Sequence, residues 1–341
     1  MSMRTIAEMT GLSITTVSHA LNGTRVVSKR SMDLINEAAA KINYRPNLAA
    51  QMMKTQRSHT VALIIPETAD QNSTNCFFFD VMNGAKSCLA ESNYELIVSL
   101  YPESKANDFF SGMSVLNRRW VDGILLVPPT LKAEDISFIE GCGVPVVLID
   151  RWVEGKELPF VSSNNREISR EAVLELYEQG RRKIAFIGAA FQNSSAVERY
   201  QGYVDALEEL GLPLDDALVS CPDKFNLASG MRAAEQVVNA GADAIFIGNS
   251  MLCFGTVKYL QTQEIRMPQD ISLIGFENYE WAEVTDPPLS AVVQNARLMG
   301  RTASRQLLKM LDGEPLEETQ IRIPAKLNLR QSHGKYEKAT G

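Results

Sequence analysis

The sequence predicts a small all-α headpiece over residues 1–45, followed by an α/β body of two lobes built on parallel sheets. Three observations carry this expectation. Residues 5–22 have the polar and apolar spacing of two short helices joined by a glycine turn. From Thr60 onward, nearly continuous apolar runs of strand length alternate with amphipathic segments, the pattern of parallel strands covered by helices on both faces. Two such sets, one before and one after about residue 160, indicate two similar lobes.

Within TIAEMTGLSITTVSHALN, Thr5 and Glu8 match a capping box, which places a helix start at Thr5. Ile6, Ala7 and Met9 give that helix an apolar side. Gly11 permits a sharp turn, and Ser13 stands where a second helix needs its N-cap. On the second helix Val17, Ala20 and Leu21 share one face, while Thr15, Ser18, His19 and Asn22 occupy the other. A polar flank of this kind suits the major groove of DNA, although helical hairpins with a glycine turn also occur in proteins that bind none. Ser28 caps a third predicted helix, KRSMDLINEAAAKIN, whose buried stripe is Met32, Ile35, Ala39 and Ile42. Residues 46–60 read as a linker. Its middle, Leu48 to Lys54, can be helical but is too short to hold a helix alone in water.

The charge is divided along the chain. The net charge is -7, yet residues 1–60 carry eight Lys/Arg against three Asp/Glu, so the remainder holds -12. A cationic headpiece supplies salt-dependent attraction to phosphate, and an acidic body keeps the rest of the molecule off the duplex. Cys76, Cys88, Cys142, Cys221 and Cys253 are scattered and odd in number, without paired spacing. That favours reduced thiols in cytoplasm over a disulfide framework or a zinc site. No export signal opens the chain, and its apolar runs are too short to cross a bilayer, so no membrane partner is expected.

In the body, strand candidates are residues 61–66, 95–100, 123–128 and 145–150, then 160–163, 183–188, 244–248 and 271–276. The two lobes are expected at 61–160 with 291–321, and at 161–290 with 322–335; residues 336–341 form a tail, and the polar stretch past Gln331 is expected to be loosely ordered. In open parallel sheets, polar residues just past strand ends converge on the crevice. Asp150, Arg151, Asn249 and Glu277 hold such positions. An Asp or Asn there can equally cap the following helix.

The segments IAEMTGLSITTVSHALNG, VSKRS, INYRPNLAAQMMK and DPPLSAVVQNARLMGR resemble those of the lactose/galactose repressor family of bacterial transcription regulators. The resemblance covers essentially the whole chain. It implies a helix-turn-helix headpiece on a periplasmic-binding-protein-like effector domain, acting as a homodimer on operator DNA. It further implies DNA contacts from Thr5, Ser13, Ile14, Thr15, Thr16, Ser18, His19 and Asn22, from Ser28, Lys29 and Arg30, and from Tyr44, Asn47 and Ala50. The linker would be a hinge helix that orders when two copies meet, with Met53 wedged into the minor groove. A small polar effector, a sugar or related metabolite, would lie between the lobes. Arg199 in AVERYQGY and an aromatic platform from Phe77 and Phe78 would join the strand-end residues around it, with Trp152 or Trp281 as further aromatic candidates.

The chain also departs from the family's pattern. His19 stands where arginine is usual and Met53 where leucine is usual. Asn249-Ser250 replaces Asn-Asp, Glu277-Asn278 replaces Asp-Asp, Asn164-Asn165 with Ile168 alters a third segment, and Cys76 takes a position where proline is common. These changes remove negative charge and reshape the pocket.

Catalysis is not expected. The three histidines, His19, His59 and His333, lie outside the predicted cleft, and no glycine-rich phosphate loop follows a strand. No cofactor and no metal are expected. A solute-binding protein of transport would share the two-lobed body but not the headpiece; a regulator answering to a protein partner would share both.

Overall fold

A computed structural model describes residues 2–22, 25–44, 57–67, 76–102, 120–189, 191, 193–277 and 280–334. Two compact units divide the chain, residues 1–58 and 59–341.

The first unit contains α1 (Met3–Thr10), α2 (Ile14–Asn22) and α3 (Lys29–Lys41). Ile6, Ala7, Val17, Ala20, Ile35 and Ala38 form its core, with Met32, Ala39 and Ile42 packed against it. Gly11 ends α1 in the left-handed region at φ 68°, as the turn requires. Ser13 accepts the Thr16 amide at 3.0 Å and Ser28 accepts that of Ser31 at 3.2 Å, so both serines cap as expected. Two expectations are corrected. Thr5 lies inside α1 rather than at its start, because its amide already bonds to the Ser2 carbonyl at 3.0 Å. Met9 is exposed, since the helix turns that position away from the other two.

The second unit holds two six-stranded sheets. The first runs β11-β5-β4-β3-β1-β2, entirely parallel: β1 (Thr60–Pro66), β2 (Glu95–Tyr101), β3 (Gly123–Leu126), β4 (Val146–Ile149), β5 (Phe160–Ser163) and β11 (Gln320–Ile323). The second runs β12-β10-β9-β8-β6-β7, with β6 (Ile184–Ile187), β7 (Val219–Ser220), β8 (Ala244–Ile247), β9 (Ser272–Phe276), β10 (Ser290–Val293) and β12 (Lys326–Asn328). There only the β10/β12 pair is antiparallel. The interior strands are buried on both faces because the helices α4 (Cys76–Glu91), α5 (Asn165–Glu178), α6 (Ser194–Leu210), α7 (Leu227–Asn239), α8 (Ser250–Thr262) and α9 (Ala296–Leu311) cover them. No described helix is long and apolar enough to cross a membrane.

All eight strand candidates are strands. Four further strands escaped the pattern because they are short and, in the case of β7, β11 and β12, lie at sheet edges where little is buried. Phe160–Ser163 belongs to the first sheet, not to the second set, and β10, which ends at Val293, belongs to the second. The chain therefore crosses between lobes after residues 163, 293 and 323, two to three residues later than expected. The stretch past Gln331 is also corrected. Ser332 donates to the Leu273 carbonyl at 2.7 Å and accepts the Ser290 amide at 2.8 Å, and the buried His333 ring sits 2.9 Å from the Ser290 hydroxyl. Polar side chains pin residues 332–333 into the sheet rather than leaving them in solvent, while residues 335–341, with the expected tail, lie outside the described residues.

Each lobe is closed by helices that meet through glycines. On α4 and α9 a Cβ at Gly84 would lie 2.0 Å from the Arg297 carbonyl oxygen, and one at Gly300 2.0 Å from that of Val81. In the other lobe Gly230 on α7 and Gly255 on α8 approach the Leu252 and Leu227 carbonyls at 2.5 and 2.4 Å in the same sense. A methyl group at any of these forces backbone apart. Gly84→Ala is expected to cost about 1–3 kcal/mol, read as a lower urea midpoint at unchanged slope.

Candidate DNA-reading helix and interlobe cleft

On α2, Val17 and Ala20 are buried, which turns Ile14, Thr15, Ser18 and His19 outward. Ile14 and Thr15 are exposed, and Ser18 and His19 are partly so. Ser13 and Thr16 face each other at the start of the helix with hydroxyls 2.8 Å apart. Asn22 is the last residue of α2. Lys29 and Arg30 are exposed on the first turn of α3, beside the capping Ser28. Thr5 is partly buried on α1, its hydroxyl 3.5 Å from that of Ser2. Tyr44 packs against the headpiece core, which gives it a structural role beside the expected one. Asn47, Ala50 and Met53 lie outside the described residues. Val26, fully exposed ahead of α3, was not singled out by its sequence context.

In the second unit, Phe77, Phe78, Asp150, Arg151, Arg199, Asn249 and Glu277 all line one cleft of about 110 Å³ between the lobes. Parallel strands explain the convergence: Asp150 and Arg151 follow β4, Asn249 follows β8 and Glu277 follows β9, so all emerge at carboxyl ends. Asp150 and Glu277 have φ of 67° and 73°, a left-handed backbone costing on the order of 1 kcal/mol at each non-glycine residue. Strain of this kind persists where the surrounding sheet dictates the chain path.

Arg199, on α6, is the cationic centre. It donates from Nε to Asn165 Oδ1 and from Nη1 to the Gly248 carbonyl, both at 2.9 Å, and its guanidinium lies 3.7 Å over the Phe276 ring. Burial lowers its pKa, while Asp150 and Glu277 pull it back up. Burial raises Asp150 from the ordinary carboxylate range against the pull of Arg151 and Arg199. Burial likewise pushes Glu277 up to about 7, opposed by Arg199 and by the hydrogen bond from Gln294.

Some assignments are shared with structural duties. Asn249 Oδ1 accepts the amides of Met251 and Leu252 at 3.0 and 3.1 Å, capping α8. Phe77 and Phe78 meet edge to face at 5.3 Å and belong to the first-lobe core as well as the cleft wall. Trp152 does not line the cleft. Its backbone amide bonds to Ser194 Oγ at 2.8 Å and its indole to Glu198 Oε1 at 3.0 Å, and Arg322 reaches the same Glu198 oxygen at 2.8 Å. Glu198 thus ties two first-lobe residues to α6 of the second lobe. Trp281 meets Phe254 edge to face instead, with ring centroids 5.3 Å apart. The lining residues Asn193, Ser195, Phe225 and Gln294 were missed. Only a recognised N-cap before α6 could have signalled Asn193, and only a recognised β10 could have signalled Gln294.

The five cysteines are free, and burial pushes Cys221 and Cys253 up to about 11 and about 12, which leaves them inert thiols at neutral pH.

Glu277 makes a pH prediction. A carboxyl raised from 4.5 to about 7 on folding stabilises the folded body below pH 4.5, and that contribution is lost as pH rises through about 7. Glu277→Gln is therefore expected to flatten the fall in unfolding free energy between pH 5 and pH 8 by roughly 1–3 kcal/mol, measured by urea denaturation.

Comparison with known proteins agrees with this architecture. Residues 2–47 match the model for bacterial regulatory proteins of the lacI family, and residues 173–333 match a periplasmic binding protein-like domain. The transcriptional repressor PurR of Vibrio atlanticus is 30% identical over 324 residues, covering 93% of this chain and 94% of the relative. The transcriptional regulator CelR of Thermobifida fusca is 28% identical over 337 residues, 97% of this chain and 98% of that one. Among solved structures, a CelR–cellobiose complex superposes with a TM-score of 0.72 at 26% identity, covering 97% of this chain and 99% of its own. A lac repressor dimer bound to operator and an anti-inducer shares the fold, with a TM-score of 0.83 at 21% identity over 98% of this chain and 99% of its own. With a headpiece that turns a polar helix flank outward, a two-lobed body around a charged cleft, and relatives matched almost end to end, this chain belongs to the lacI family of bacterial transcription regulators.

Proposed function

We propose that the protein is a cytoplasmic repressor that binds a near-palindromic operator as a homodimer and is controlled by a small polar molecule held between its lobes. The observation that carries this reading is the convergence of carboxylate, guanidinium, amide and phenyl groups from both lobes on one cleft, in a chain whose headpiece presents Ile14, Thr15, Ser18 and His19 to solvent. Ile14, Thr15, Ser18 and His19, with Asn22, would touch base edges. Ser13, Thr16, Ser28, Lys29, Arg30, Thr5, Tyr44 and Asn47 would set register on phosphates. Ala50 and Met53 would meet their counterparts over the operator centre, Met53 as the minor-groove wedge. The solved CelR complex with cellobiose supports a sugar or related metabolite as effector. Exposed Phe79 on α4, with Ile97 and Leu100 on the edge strand β2, supports a second copy as partner, since such apolar surface on a strand edge is otherwise an aggregation hazard.

The effector acts through differential affinity for two lobe arrangements. Closure around the ligand alters how the paired linkers meet, and with it the grip on DNA. The test is selection of a preferred duplex from a random library with full-length protein, followed by binding titrations with and without candidate sugars. Recovery of a two-fold-related site whose affinity responds to a ligand is the expected result. No enrichment over random DNA at low salt would end the reading.

A further inference from the structure

Side chains as well as chain crossings fasten α6 to the first lobe. Glu198 is 6% exposed, and its Oε1 accepts from Trp152 Nε1 at 3.0 Å and from Arg322 Nη1 at 2.8 Å. One helical turn earlier, the buried Ser194 hydroxyl accepts the Trp152 amide at 2.8 Å. Both donors are seated in the first lobe. Trp152 packs against the core beneath β1, β3 and β4, and Arg322, on β11, lies 5.6 Å over the Phe160 ring of the adjoining β5. All three bonds therefore run from lobe to lobe.

A buried carboxylate that loses its donors must find water. In this arrangement of the lobes protein donors meet Glu198; with the lobes parted, solvent would. The contact has two satisfied states, as a switching element requires, and each hydrogen bond to a charged group weights the balance by about tenfold to a hundredfold. The other carboxylate oxygen faces back toward the cleft. Oε2 accepts Asn165 Nδ2 at 3.4 Å, and Asn165 Oδ1 takes Arg199 Nε at 2.9 Å. Arg199 lines the cleft, whereas Asn165 and Glu198 stand behind it. An unbroken run of hydrogen bonds thus joins the cationic centre of the cleft to β11, the strand that leads into the third crossing between lobes.

Building on the effector-cleft reading, we propose that Glu198 is a positioning residue of the effector response: its carboxylate clasps the first lobe through Trp152 and Arg322, weights the balance between lobe arrangements, and is coupled to the cleft through Asn165 and Arg199. The test uses full-length protein and needs no ligand, because the lobe arrangement is read through the grip on DNA. Trp152→Phe keeps the ring and removes the indole N–H, Glu198→Gln keeps the size and removes the charge, and Arg322→Gln acts at a side chain already 38% exposed. Fluorescence anisotropy compares each with wild type on the selected operator and on a scrambled duplex. Every single change is expected to shift operator affinity at least about threefold, all in one direction, with scrambled binding unchanged because the headpiece is untouched. The Trp152→Phe/Glu198→Gln pair should shift it no further than the larger single change, within about twofold, since both break one contact. Arg199→Lys combined with Glu198→Gln should likewise fall short of the sum of its parts. Arg322→Gln decides the matter even where Glu198→Gln folds poorly. Operator affinities all within about twofold of wild type overturn the proposal, as do shifts of opposite sign or strict additivity in either pair. A parallel fall on the scrambled duplex in every variant marks lost fold and overturns it too. Operator selectivity of the wild type separates the two readings: selectivity that persists alongside a failed clasp leaves the regulator and its cleft standing, and its absence removes both.

Discussion

Full-length protein carrying Thr15→Ala and His19→Ala together is expected to lose at least about a hundredfold of its preference for operator over random DNA, since each good base contact is worth about 1–3 kcal/mol. Both side chains lie on the flank of α2 turned away from Val17 and Ala20, so the headpiece core is untouched and alanine favours the helix. The residual binding should remain, because it comes from the eight Lys/Arg of residues 1–60 and their attraction to phosphate. Fluorescence anisotropy with operator and scrambled duplexes at two salt concentrations makes the measurement. The two curves should converge at either salt, with steep salt dependence retained. Selectivity that survives the double change would assign base reading to another surface, with the exposed Val26 as the next place to look.

The second large effect is expected at Arg199. Arg199→Ala removes the counter-charge of Asp150 and Glu277 and strips the partners from Asn165 Oδ1 and the Gly248 carbonyl in one step. Removing one member of a buried charge cluster typically costs about 3–5 kcal/mol, and the partly buried position of Arg199 places the expectation at the lower end. Urea unfolding should show this as a fall in midpoint. The remaining folded protein should still select its operator, since that unit is separate, but ligands that modulate the wild type should no longer alter DNA affinity. Arg199→Lys is expected to recover part of the stability and none of the response, because a single ammonium nitrogen cannot replace the planar fork that reaches Asn165 and Gly248 from separate nitrogens and lies over the Phe276 ring. A fully responsive Arg199→Ala protein would remove Arg199 from the effector set.

The body's sheets were legible in the sequence because doubly covered parallel strands must be apolar along their whole length, and eight such runs stand out. Their carboxyl ends then nominate the cleft by topology alone, which is why Asp150, Arg151, Asn249 and Glu277 are legible from the sequence as residues that line it. What stayed hidden follows a physical logic too. Edge strands such as Gln320–Ile323 bury too little to need an apolar pattern. Gln294 was invisible because the strand before it, Ser290–Val293, is four residues long and opens with a polar one. Trp152 was nominated as an aromatic wall, yet an indole N–H must find an acceptor, and Glu198 supplies it away from the cleft. Local capping misled at Thr5 because Ser2 offers a rival start, and a helix takes the earlier one when its first amides are already met.

The three passages of the chain between lobes decide how the molecule can be made. The first sheet lacks its border strand until Gln320–Ile323 has been synthesised, and its helix α4 lacks the neighbour α9 that closes against Gly84. Neither half is a contiguous stretch, so synthesis from the amino end delivers an incomplete first lobe, then most of the second, and only afterwards the pieces that finish both. A ribosome halted after the second sheet has begun but before residue 323 releases a polypeptide with two unfinished sheets rather than one finished lobe, and such chains have unpaired edges open to aggregation.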